Sequence, residues 1–163
     1  MNSDISYGSQ TARHDDATGD ITVLNTLIGT LLDSVEGYSK AADDVDNPTY
    51  VQLFNARSRE RQEVAARLQS AVAQLGGDPE DDATTLGAIH RVFVDLKAAV
   101  TGRDDKAIVN EVERGEDYLK AKFETAMKNA DLSVIARDAV NAAWQSVKSG
   151  HDEMSNLKHS LPK

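Results

Sequence analysis

From Asp20 to the last residues, apolar side chains recur at three- and four-residue steps, and no stretch alternates in the manner of a strand. That period confines the chain to helices, each presenting one apolar stripe to a shared core. Leu24, Leu27, Ile28, Leu31, Val35, Tyr38, Ala42 and Val45 form the first stripe, on a helix opened by Asp20 or Thr22 and closed before Asn47-Pro48. Tyr50, Leu53, Phe54, Val64, Leu68, Val72 and Leu75 form the second, stopped by Gly76-Gly77-Asp78-Pro79. A shorter helix is expected from about Thr84 to Val100, ending at Thr101-Gly102. Asp104 or Asp105 then caps a further long helix carrying Ile108, Val112, Leu119, Phe123 and Met127, which stops near Asn129 to Leu132. The last helix carries Val140, Trp144, Val147, Met154 and Leu157 and ends before Pro162. Residues 1–19, polar and holding Gly8 and Gly19, read as a flexible tail without the apolar region of a signal peptide, and residues 20–160 as one all-α bundle.

Four long helices with a short one between the second and third suggest a crossover. In an up-down-up-down bundle a few linking residues would suffice; with a lengthwise crossover, helices two and three run parallel, as in ferritin-like folds.

Composition narrows the function. Among 163 residues, 40% are hydrophobic and no region is continuously apolar for about 20 residues, so a membrane span is not expected. The absence of cysteine excludes disulfides and thiolate chemistry and suits a reducing cytoplasm, the expected location. A net charge of -9 argues against a phosphate-tracking surface, so neither nucleic acid nor membrane is an expected partner. A homodimer is an open expectation, and the protein partner is unassigned. There is no Gly-rich phosphate loop and no nucleophile elbow.

Ionisable groups lying in or beside the apolar stripes are the candidate site, because a buried charge must be paired, hydrated or bound to metal. With the crossover topology, helical rise places Glu36 roughly 15 Å below the top of the bundle, at the depth of Arg57 and Arg61 on helix two. Glu113 and Glu116 on helix three and His151 on the last helix fall at similar depth, with Glu116 between Val112 and Leu119 in the apolar row.

The phrases Val35-Glu36-Gly37-Tyr38, Leu75-Gly76-Gly77-Asp78-Pro79, Gly87-Ala88-Ile89-His90-Arg91, Asp95-Leu96-Lys97, Glu113-Arg114-Gly115-Glu116-Asp117 and His151-Asp152 resemble an uncharacterised bacterial family of ferritin-like four-helix-bundle proteins, over roughly residues 20 to 158. The resemblance implies the fold and a stress-associated role of unknown chemistry. Active di-iron members of the wider superfamily use a Glu from each of two helices and a Glu-x-x-His pair from each of the other two. Glu36 fits one Glu and Glu113 or Glu116 the other. Helix two instead offers Arg57, Glu60, Arg61 and Glu63 with no histidine, and His151 is preceded three residues earlier by Lys148 rather than Glu.

The favoured expectation is therefore a non-catalytic bundle in which Glu36, Arg57, Arg61, Glu116 and His151 form a core ion network in place of metal, with no cofactor. The alternative is an iron or manganese oxidoreductase or ferroxidase-like protein with Glu36, Glu113, Glu116 and His151 as ligands, joined by Glu60 or Glu63 if helix two rotates. Third is a subunit of an iron-storing assembly. His90 reads as a capping or packing residue, His14 and His159 as solvated, and Trp144 as packing. Tyr38 and Tyr118 are commoner as packing residues than as redox partners, and Glu80-Asp81-Asp82 is a solvated turn.

Overall fold

The computed structural model describes residues 3–82 and 104–162, with side chains from residue 17 onward. They form four helices: α1 (Ser3–Asp44), α2 (Pro48–Gln74), α3 (Asp105–Met127) and α4 (Val134–Ser160). No strand occurs among the described residues. The expected connector from Thr84 to Val100, His90 included, lies outside them, as does the side chain of His14.

Local chemistry explains the boundaries. Asn47 caps α2 by accepting from the Thr49 amide, with Pro48 in the first turn, where its missing N–H costs nothing. Asp104 caps α3 through the Lys106 amide, and Ser133 caps α4 through that of Ala136. At the foot of α2, Gly76 adopts φ +85° while the amides of Gly76 and Gly77 return to Ala73 and Val72, a Schellman closure needing the left-handed conformation that glycine takes without strain.

One boundary corrects the sequence reading. α1 begins at Ser3, not at Asp20 or Thr22, and the segment read as a tail is helical from there. No proline precedes residue 48, and extending a helix already nucleated costs far less than starting one, so Gly8 and Gly19 do not stop it. Asp20 is then an interior residue, buried, accepting from the Ser133 amide at the start of α4.

Polar clasps at both ends fix the directions. At the top, the Asp105 carboxylate accepts from the Asp46 and Asn47 amides, setting the end of α1 beside the start of α3. At the bottom, Asn25 donates to the Asp78 carbonyl and accepts from the Glu80 amide, tying α1 to the turn after α2. Neighbouring helices are thus antiparallel, while α2 and α3 run the same way, the arrangement a ferritin-like crossover requires.

Among the described residues the core has two apolar blocks. The lower one packs Leu24, Leu27, Ile28, Leu31, Leu68, Val72, Leu119, Phe123, Val140 and Val147. The upper one packs Tyr38, Ala42, Val45, Phe54, Ile108, Val112 and Met154. Removing a side chain such as Leu68, fully buried, would cost about 2–5 kcal/mol. Between the blocks lies a layer of buried polar groups. Among the described residues, no helix is long and apolar enough to cross a membrane.

Candidate functional site in the core polar layer

Among the described residues, Arg61 is the largest fully buried side chain, at 0% exposure. It projects from α2 toward the bundle centre because it lies four residues before Ala65 and seven before Leu68, on the core-facing stripe. Its Nη2 donates to Glu116 Oε2 across the bundle at 2.9 Å, and Nη1 reaches Ser34 Oγ at 3.4 Å. The guanidinium also stands 5.9 Å from the Tyr38 ring centroid, within cation–π range. Glu116, 2% exposed, accepts the Tyr38 hydroxyl on its other oxygen at 2.6 Å. Burial and the neighbouring Glu116 carboxylate together hold the Tyr38 hydroxyl well above its ordinary pKa, keeping it a proton donor.

The fourth wall comes from α4, where Gly150 leaves room for the guanidinium. A Cβ there would collide with Arg61 Nη2 and crowd Glu116 Oε2 at 3.4 Å. A glycine inside a helix costs about 1 kcal/mol relative to alanine, so this one marks a close approach rather than a turn.

A second network flanks the first. Arg57 donates to both oxygens of Glu60 at 2.8 and 2.7 Å, and to Glu153 on α4 at 2.7 Å. Burial opposes its charge, but the bonds to Glu153 and Glu60 outweigh that, and its pKa rises. Ser146 adds a hydrogen bond to Glu60. On the other flank His151 Nε2 lies 2.6 Å from Asp117 Oδ1 and Nδ1 lies 3.3 Å from Asp152 Oδ1. The hydrogen bond from His151 lowers the Asp152 pKa. Glu113 accepts from Lys158 at 3.1 Å.

The candidate residues thus divide. Arg61 and Glu116 meet in the centre, and Arg57 pairs one step outward. His151 faces Asp117 and Asp152 rather than the centre, and Glu113 joins the α3–α4 seam. Glu36 does neither: it is exposed on the outer face of α1. It sits two residues from both Ser34 and Tyr38, which at about 100° per residue is the opposite side of the helix. The polar groups that α1 turns inward are Ser34 and Tyr38, and buried Asp33 joins them off the solvent. Glu60 stands in the Arg57 network without rotation of α2. Among the others, His159 is exposed in the last turn of α4 and Trp144 packs against the lower block. Tyr118 packs at the upper block with Lys122 over its ring.

Ser34, Gly150 and Asp117 were missed as members of the site. Gly150 carried a signal, an interior helical glycine beside His151. Ser34 carried a weaker one, a small polar residue three after Leu31 and four before Tyr38.

The arrangement does not fit a di-metal centre of the superfamily type. The carboxylate at the centre of the layer, Glu116, is bonded to a guanidinium and a phenol, and a cation placed beside it would meet the fixed positive charge of Arg61.

A protein family described as a domain of unknown function, DUF2383, matches residues 20–129. No curated protein matches the sequence. Among solved structures, a mutant of Mycobacterium smegmatis Dps1 is similar over 88% of this chain and 97% of its own, with a TM-score of 0.71 and 12% identity. That likeness shows the fold, a ferritin-like four-helix bundle.

Proposed function

We propose that this chain, which belongs to the DUF2383 family, is a non-catalytic ferritin-like bundle protein whose core ion network stands where active relatives of the fold carry metal. Its stress-associated role, implied by the sequence resemblance, is exerted through its surface or its association with other chains. The observation that carries this reading is Arg61, fully buried and bonded to Glu116 at 2.9 Å between two apolar blocks. A guanidinium stays charged, so a cation entering the layer would have to break that pair and leave the positive charge buried.

The oxidoreductase alternative drew on Glu36, Glu113, Glu116 and His151. It now lacks Glu36, which faces outward, and Glu116 is held by Arg61 and Tyr38. Elemental analysis after anaerobic Fe(II) loading tests the choice. The expected result is the same iron content in wild type and Glu116→Gln. Iron retained by the wild type and lost in Glu116→Gln would overturn the reading.

A further inference from the structure

Outside the core layer, the seam between α3 and α4 brings together three groups of metal-binding chemistry. Glu113 and Asp117 lie one turn apart on α3, and His151 meets them from α4. One ligand atom from each lies within 4.8 Å of the other two. Bonds of about 2.0–2.2 Å to one ion would place such atoms some 3–3.5 Å apart, within about 2 Å of the separations found here.

The histidine is also oriented. Its Nδ1 lies 3.3 Å from Asp152 Oδ1, and a proton on Nδ1 donated there leaves a lone pair on Nε2. That lone pair faces Asp117 Oδ1 at 2.6 Å. At that distance the two share a proton in a hydrogen bond, and an incoming ion would displace the proton as the atoms part to about 3–3.5 Å. The side chain of His151 is only 13% exposed, whereas Asp117 at 55% opens the position to solvent. A carboxylate held behind a ligating imidazole is the usual outer partner of a metal-bound histidine.

We propose that Glu113, Asp117 and His151 form a site for one divalent transition cation, with Asp152 orienting the imidazole. Imidazole with two carboxylates suits zinc, manganese or ferrous iron, and three protein ligands leave a coordination position open to water. Lys158 is the built-in competitor: its ammonium holds Glu113 Oε2 at 3.1 Å and must withdraw when the ion enters. The site is separate from the core pair of Arg61 and Glu116 and survives or fails independently of the reading given to that pair.

Titration with Zn²⁺, followed by calorimetry against a competing chelator, tests it, with Co²⁺ as the spectroscopic probe. One ion per chain is expected, bound at least about tenfold more weakly by His151→Ala and by Asp117→Asn. Lys158→Met should bind several-fold more tightly, a gain that no site elsewhere would give. Affinity unchanged in His151→Ala and in Glu116→Gln alike, or no zinc bound by the wild type, overturns this site and leaves the core reading standing. Binding abolished by Glu116→Gln but kept by His151→Ala would overturn both.

Discussion

Replacing Arg61 with methionine removes the buried cation that faces Glu116 and leaves the carboxylate between two apolar blocks with, among the described residues, the Tyr38 hydroxyl as its partner. Breaking a buried pair from one side typically costs about 3–5 kcal/mol, most of it the penalty of the charge left behind. At about 2–4 °C per kcal/mol for a chain of this size, Tm should fall by roughly 6–20 °C. Methionine fills most of the space vacated, so the loss is electrostatic rather than a cavity effect. Adding Glu116→Gln removes the orphaned charge and still gives Tyr38 an acceptor. The double variant should therefore be more stable than Arg61→Met alone, with a coupling energy of about 2 kcal/mol or more. Urea unfolding followed by circular dichroism, run on wild type, both single variants and the double, measures all four corners. Additive losses would refute the claim that the two charges stabilise each other across the bundle.

Three further outcomes follow from the same geometry. Gly150→Ala should destabilise by about 1–3 kcal/mol in thermal melts although alanine is the better helix former, because its Cβ drives Arg61 from Glu116. Tyr38 has a folded-state pKa raised above its ordinary 10.0, so its contribution is fully present below about pH 10 and is lost as pH climbs above it. The wild type should lose up to about 1.4 kcal/mol per pH unit more than Tyr38→Phe there, read from urea midpoints at stepped pH. Glu36→Gln, on the outer face of α1, should shift stability by no more than about 0.5 kcal/mol and leave bound metal unaltered, as unfolding and elemental analysis would show.

Depth along the bundle was legible in the sequence, and rotation about each helix was not. Counting residues from Thr49 and Asp104 put Arg61 and Glu116 at one level, and they are bonded there at 2.9 Å, because helical rise is uniform and the end clasps are short. The same counting put Glu36 at that level, yet an error of one or two positions in locating the stripe turns a side chain by 100–200°, enough to carry it from core to solvent. Glu36 borders Val35 in sequence, and that adjacency misled, since neighbours on a helix point to different faces. The parallel course of α2 and α3 was readable from the length of chain between Pro79 and Asp104, too long for a turn. The start of α1 was not: residues 3–19 carry no apolar stripe, and helix continues there because nothing in the chain breaks it. Gly150 shows what a pattern of apolar residues leaves out, since its role is the space it leaves for a residue on another helix.

On the function proposed above, Arg61 and Glu116 stand paired in a layer that holds no metal. Anomalous diffraction from crystals soaked anaerobically in Fe(II), with data on both sides of the iron edge, locates any ion directly. The expected map has no anomalous peak among Ser34, Tyr38, Arg61 and Glu116, with Arg61 still bonded to Glu116. A peak coordinated by Glu116, with the Arg61 side chain swung out of the bundle, would contradict it.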